Sequence, residues 1–269
     1  MSMMGELTFF LGLQVKKLKD GTFISQSKYT GDLMKKFGME EKSSVKIPIN
    51  TSIKMDMDVD GKAVDQTRYR ALIGSLLYLT ISRPDITFVV GMCALIQYAP
   101  KQSHMTAVKR ILRYLKGNQE VGLWYTKQGG FKLIGYSNSD YPGCRVDRKS
   151  TSGTCQILGN RLVSWLSKKQ NSIATSTAEA EYIAAGSCYA HVLCMRQQLR
   201  DYIIKEKEIP IMCDNISAIA ITQNSVLHSR IRHIDVRYHF IRDYVEKKYI
   251  TLECISTEKQ LADIFTKPM

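Results

Sequence analysis

The stretch GYSNSDYPGC, residues 135–144, follows the short apolar run 131–134 and ends in a turn built on Pro142-Gly143. This pattern predicts a strand whose polar tip presents its last side chains to a site. Asn138 and Asp140 are two residues apart, so they share one face of that strand. Hard metal ions prefer anionic oxygen ligands, and an amide at Asn138 is therefore an unusual residue for such a tip.

The residues around this strand predict a mixed α/β sheet with flanking helices. Three strands come first as a meander, and two further strands then alternate with helices. The strands are expected at 132–136, 153–158, 161–166, 209–213 and 249–255, and the helices at 177–202, 215–223, 233–247 and 257–265.

The first half of the chain has a different pattern. Residues 8–25 predict a β-hairpin that turns at Lys19-Asp20-Gly21, and the polar stretch 42–66 predicts a connector with little regular structure. Helices are expected at 27–37, 66–81 and 103–116, with a further helix that follows residue 81 and ends at about residue 98. We therefore divide the chain into residues 1–125 and 126–269.

Composition narrows the class of protein. The chain has 269 residues and a net charge of +13, which favours a polyanionic partner such as nucleic acid, although a merely soluble basic surface is an equal alternative. Seven scattered cysteines indicate a reducing compartment and no disulfide framework. The longest apolar stretch, 86–99, is too short to span a membrane, and no secretory signal is evident. A cytoplasmic or nuclear location is expected.

Three acids stand at positions where a site could form. Glu181 lies on the small-residue stripe of the long helix, where a buried carboxylate is costly unless it binds something. Asp214 follows the strand 209–213, and Asp263 lies in the last helix. Each also has a simpler interpretation: Glu181 reaching solvent, Asp214 as a helix N-cap and Asp263 as a surface acid. Together, acids from separate elements can converge on a pair of divalent cations.

Several stretches closely resemble copia-type LTR retrotransposon Pol polyproteins, especially those of plants. GYSNSDYPGC, STAEAEYIAA, CDNISAIAI and EKQLADIFTKP resemble the ribonuclease H domain of that family. FISQSKYTGDLMKKFGM, YRALIGSLLYLTISRPDI and RILRYLKG resemble the end of its reverse transcriptase and the connection. The resemblance covers essentially the whole chain, in the order of the family.

The resemblance implies a ribonuclease H-like fold with a site for two Mg²⁺ or Mn²⁺ ions, acting on RNA–DNA hybrids. The catalytic and metal-binding positions would be Asn138, Glu181, Asp214 and Asp263. The family has an aspartate where this chain has Asn138, so the site is degenerate at that position. Asp140 matches the second acid of the first-strand motif and is an alternative metal ligand.

Basic residues beside these segments are candidates for contacts with nucleic acid. They are Lys168, Lys169, Arg230, Arg232 and His233. The resemblance also implies a histidine that assists product release, for which His233 and His239 are alternatives. Trp165 is expected in the core rather than as a stacking platform.

The resemblance further implies that the region before residue 117 is a helical remnant of the reverse transcriptase. The Tyr-Val-Asp-Asp motif of the polymerase does not occur here, and the upstream polymerase domains are expected to be absent, so no polymerase activity is expected. Three interpretations of the chain remain: a weakened ribonuclease H, a catalytically silent nucleic-acid-binding fragment, and a transposon relic without function.

Overall fold

The computed structural model describes residues 5–50, 55–141, 148–204, 206, 208–223 and 240–268. The chain forms two compact units. One unit is Met1–Gln128 with Pro268–Met269, and the other is Gly129–Lys267. In the described part of the chain, no helix combines the length and the apolar character needed to cross a membrane.

The first unit contains a four-stranded antiparallel sheet. Its strands, in sheet order, are β1 (Phe9–Phe10), β2 (Leu13–Leu18), β3 (Gly21–Ser25) and β4 (Gly122–Thr126). The predicted hairpin is the β2–β3 pair. Strand β4 was missed, because it joins β3 only after about a hundred intervening residues and no local turn marks the pairing.

Helices fill the interval between β3 and β4. They are α1 (Ser27–Lys36), α2 (Gln66–Leu79), α3 (Thr87–Ala94) and α4 (Gln102–Gly117), with a 3₁₀ helix at Pro84–Ile86. The apolar stripe of α4 is buried, as its spacing predicted: Val108, Ile111 and Leu115 are all 0 % exposed. The described parts of the connector 42–66 contain neither helix nor strand before α2 begins.

The second unit contains a five-stranded mixed sheet. Its strands are β5 (Leu133–Asp140), β6 (Thr151–Leu158), β7 (Arg161–Lys169), β8 (Ile209–Cys213) and β9 (Ile250–Cys254). The strand order is β7-β6-β5-β8-β9, with β5, β6 and β7 antiparallel and β5, β8 and β9 parallel. The expected fold class is confirmed.

Different elements cover the two faces of this sheet. The long helix α5 (Thr177–Asp201) packs against one face, and its approach is close at Gly135, where an added Cβ would lie 2.8 Å from the Cys188 sulfur. A 3₁₀ helix, Leu261–Phe265, packs against the other face over Gly153. The remaining helices are α6 (Ile216–Gln223), α7 (Phe240–Glu246) and a 3₁₀ helix at Thr257–Lys259.

The prediction of a single α-helix at 257–265 is wrong. It consists of two 3₁₀ helices interrupted at Gln260. The Gln260 amide donates a 3.0 Å hydrogen bond to the carbonyl of Ser137, and its oxygen accepts from the Ala262 N–H. The bond to Ser137 holds this part of the chain against β5, and the local bond to Ala262 lies at the break between the two 3₁₀ helices.

Candidate metal centre

The carboxyl ends of β5 and β8 form the floor of the centre. These two strands are parallel neighbours, so residues that end β5 and residues that follow β8 meet at one edge of the sheet. The first turns of α5 lie over the same edge, since the backbone N–H of Ser139 donates a 2.7 Å hydrogen bond to Oε1 of Glu181. The topology therefore brings Glu181 and Asp214 together, beside the end of β5 that carries Asn138.

Glu181 is the buried acid of the centre, with 3 % of its surface exposed. Its Oε2 has no hydrogen-bond partner among the described residues. Burial raises the pKa of Glu181 to about 8, and the negative charges of Asp214 and Asp263 add to that rise, while the Ser139 N–H opposes it. The alternative in which Glu181 reaches solvent is wrong.

Asp214 is held beside Glu181 rather than used to cap a helix. The N-cap of α6 is the next residue, Asn215, whose Oδ1 accepts a 3.0 Å hydrogen bond from the Ala218 N–H. The hydroxyl of Thr257 donates to Oδ2 of Asp214 at 3.1 Å. The interpretation of Asp214 as an N-cap is therefore wrong, and its carboxylate faces the centre.

Cys213 completes a group that sequence reasoning missed. Single ligand atoms of Glu181, Cys213 and Asp214 lie within 4.8 Å of one another, a spacing that could hold a metal ion. Cys213 is fully buried, and burial raises the pKa of its thiol to about 12. Its place beside Asp214 at a strand end was the available signal, but an isolated cysteine is usually only a small buried hydrophobe.

Asn138 points to the other face of the sheet, toward the end of the chain. Its Nδ2 donates to Oδ1 of Asp263 and, at 3.0 Å, to the hydroxyl of Thr266. The other oxygen of Asp263 lies 2.5 Å from the ammonium of Lys267. Both carboxylate oxygens of Asp263 are thus engaged within the protein.

Asp140 lies two residues beyond Asn138 in β5, where the side chains share a face. Burial raises the pKa of Asp140, and the positive charge of Lys267 partly offsets the rise. Asp140 is absent from the group of possible metal ligands formed by Glu181, Cys213 and Asp214.

Gln170 links the segments that position Glu181. Its backbone N–H donates to Ser150, and its side-chain Nε2 donates to the hydroxyls of Ser152 and Ser139 and to the carbonyl of Ala180 at 2.9–3.3 Å. Ala180 directly precedes Glu181, and the Ser139 N–H binds its carboxylate. The side-chain amide of Gln170 thus contacts both Ala180 and Ser139, the two residues that position Glu181, and nothing in the sequence pattern pointed to it.

The basic candidates divide into two groups. Lys168 and Lys169 end β7 in register with Ser152 and Thr151 of β6, which pair with Ser139 and Asp140 of β5. Both lysines therefore lie two strands from the acids, at the same edge of the sheet.

The other candidates from the sequence have different outcomes. Arg230, Arg232, His233 and His239 lie outside the described residues. Trp165 packs against a small cluster that includes Cys155, Ala262 and Phe265.

Comparisons with known proteins define the family. The Retrovirus-related Pol polyprotein from transposon RE1 of Arabidopsis thaliana is 36% identical over 265 residues, which cover 98% of this chain and 18% of that relative. The chain belongs to the retrovirus-related transposon Pol polyproteins. The corresponding polyprotein from transposon TNT 1-94 of Nicotiana tabacum is 33% identical over 275 residues, covering 98% of this Pol segment and 20% of the relative. The segment spans about a fifth of the length of these relatives.

No family model matches the segment. Among solved structures, RNase H1 from the halophilic archaeon Halobacterium salinarum superposes with a TM-score of 0.34 and 13% identity, covering 50% of this chain and 94% of that one. The ribonuclease H-like fold of the second unit follows from its strand order, from α5 on one face and from the 3₁₀ helix on the other, and not from this superposition.

Proposed function

We propose that the second unit of this Pol segment is a metal-dependent ribonuclease that cuts the RNA strand of RNA–DNA hybrids, with activity lowered by Asn138. The observation that carries the proposal is Glu181, a buried carboxylate whose second oxygen lacks a partner among the described residues. An anion in that state is costly unless a cation offsets it.

The residues present fit a divalent cation at one half of the centre. Glu181 and Asp214 offer carboxylate oxygens within 4.8 Å of each other, and such oxygens are the ligands that Mg²⁺ and Mn²⁺ favour. A cation bound there would activate water and stabilise the charge that develops on the phosphodiester. The protein's own part is to fix these two acids through Ser139, Thr257 and Gln170.

Asn138 accounts for the lowered activity. An amide brings no negative charge to a position where the family has an aspartate. A unit charge at ~4 Å contributes about 4 kcal/mol at an effective dielectric of 20, and each 1.36 kcal/mol in the barrier is a factor of ten. A decrease of up to about three powers of ten in cleavage rate is therefore expected from this one residue.

The bound nucleic acid is proposed to be the hybrid, held by phosphate contacts. Lys168 and Lys169 lie at the edge of the sheet that carries the acids, and the chain has a net charge of +13. Magnesium or manganese is the proposed cofactor, and a cytoplasmic or nuclear location is proposed for the active protein. Polymerase activity is not part of the proposal.

A silent nucleic-acid-binding role is the second candidate. It is favoured by the engagement of Asp263 with Asn138 and Lys267, which satisfies that carboxylate without an ion. The two functions differ in one assay: a labelled RNA–DNA hybrid incubated with the purified chain and either Mg²⁺ or Mn²⁺. Slow cleavage that Glu181→Gln eliminates supports the nuclease, whereas binding without any cleavage in either ion supports the silent role.

A further inference from the structure

We infer that this centre holds a single divalent cation, at Glu181 and Asp214, and that the side chains of Asn138, Asp263 and Lys267 replace the second ion of a pair. The inference builds on the proposed metal-dependent function, but it concerns ion binding alone. It rests on an asymmetry between the two halves of the centre.

One half has an unmet need for positive charge. Glu181 is 3 % exposed, and its Oε2 has no partner among the described residues. The Asp214 carboxylate lies within reach of the same cation. Among the described residues, only the Thr257 hydroxyl donates a hydrogen bond to it. A cation at this half would contact an oxygen that the described residues leave unsatisfied.

At the other half of the centre, the Asp263 carboxylate already has two partners within the protein. Asp263 receives the Asn138 amide on Oδ1 and the Lys267 ammonium on Oδ2. Lys267 is 53 % exposed, so solvent screens its charge, and the buried amide of Asn138 is the firmer of the two contacts. An ion placed here would have to displace both.

The amide cannot easily turn to offer its oxygen. The Thr266 hydroxyl donates to the backbone carbonyl of Asp263 at 3.0 Å, so it accepts from Asn138 rather than donating to it. A reversed amide would place Oδ1 against the Asp263 carboxylate and against an acceptor oxygen of Thr266. The neighbours of Asn138 therefore hold its N–H groups, and not its oxygen, toward Asp263.

The number of bound ions tests the inference without any substrate. The purified full chain is titrated with Mn²⁺ by calorimetry, and bound Mn²⁺ is counted by electron paramagnetic resonance. We expect one ion in the unaltered chain, two in Asn138→Asp, and none in Glu181→Gln. Glu258→Gln, which removes an exposed carboxylate, is the matched control and should keep one ion.

Each other count contradicts the inference. Two ions, or none, in the unaltered chain would overturn it, and so would one ion in a folded Asn138→Asp variant. If that variant does not fold, the counts for the unaltered chain and Glu181→Gln still decide. One ion without hybrid cleavage would overturn the proposed function while the inference stands, and two ions with cleavage would do the reverse.

Discussion

The side-chain amide of Asn138 donates a hydrogen bond to the carboxylate of Asp263, across 125 residues of sequence. Two acids at these positions would repel each other unless a cation lay between them. With an amide on one side, the pair becomes attractive in the absence of metal. An asparagine at position 138 thus lowers the negative charge of the centre, and it also gives the Asp263 carboxylate a hydrogen-bond donor in place of a cation.

Restoring the acid should raise activity. Asn138→Asp is nearly isosteric and returns one negative charge, so we expect hybrid cleavage in Mg²⁺ to increase at least tenfold and by up to about a thousandfold. Adding Glu181→Gln to that variant should remove the whole gain, because the two residues serve the same chemistry and their effects do not add. The measurement is the cleavage rate on one hybrid of four proteins: the unaltered chain, Asn138→Asp, Glu181→Gln and the double variant.

Asp140→Asn in the unaltered chain is the companion experiment. Asp140 shares a strand face with Asn138 but is two residues, about 6.6 Å, further along. We expect little change in cleavage. If the unaltered chain already cleaves as fast as Asn138→Asp and loses that activity in Asp140→Asn, then Asp140 has taken the place of the missing acid.

The elevated pKa of Glu181 predicts how stability depends on pH without divalent ions. The pKa is about 8 in the folded protein and 4.5 as the ordinary value, so the folded state retains a proton that the unfolded chain loses. The contribution of Glu181 to the free energy of unfolding is therefore greatest below pH ~4.5, falls as the pH rises to ~8, and is lower by a few kcal/mol above that.

Glu181→Gln should remove this loss. Its stability relative to the unaltered chain should improve by a few kcal/mol between pH ~5 and ~8.5 in a chelating buffer. Urea unfolding at both pH values is the measurement, and Glu258→Gln, at an exposed site, should show no such trend. A constant difference between Glu181→Gln and the unaltered chain would show that Glu181 is ionised throughout.

Binding to a hybrid should depend strongly on salt. If lysine–phosphate contacts carry the interaction, affinity falls steeply between ~50 and ~200 mM salt, because counterions are released. Lys168→Ala should weaken binding and reduce the slope of log affinity against log salt by about one. Lys132→Ala is the control, since Lys132 precedes the opposite end of β5. Equal effects of the two substitutions would place the nucleic acid elsewhere.

Gln170→Ala should weaken the centre indirectly, by removing hydrogen bonds to the residues that position Glu181. The substitution removes hydrogen bonds to Ser139, Ser152 and Ala180 in a buried location. We expect a loss of about 1–3 kcal/mol in the free energy of unfolding, together with weaker binding of Mn²⁺. Gln198→Ala, on the exposed side of α5, should change neither quantity. Unchanged Mn²⁺ affinity in Gln170→Ala would limit Gln170 to a structural role.

Much of the second unit could be predicted from the sequence, because its strands and helices have strong local patterns. Strand β8 was predicted with its observed bounds, and Glu181 and Asp214 do lie together. The roles of Cys213 and Gln170 could not be predicted, since each depends on a contact between elements distant in sequence. The same reason explains β4, whose partner β3 precedes it by four helices. Lys267 lies only four residues after Asp263, so that ion pair had an unused local signal in the sequence.

The parallel pairing of β5, β8 and β9 also has a kinetic consequence. We expect the acids of the centre to come together late in folding, because long loops must first close and the last 3₁₀ helix must dock. An ion that binds the completed centre stabilises the native state but not the transition state. Added Mn²⁺ should therefore slow unfolding and leave the refolding rate almost unchanged.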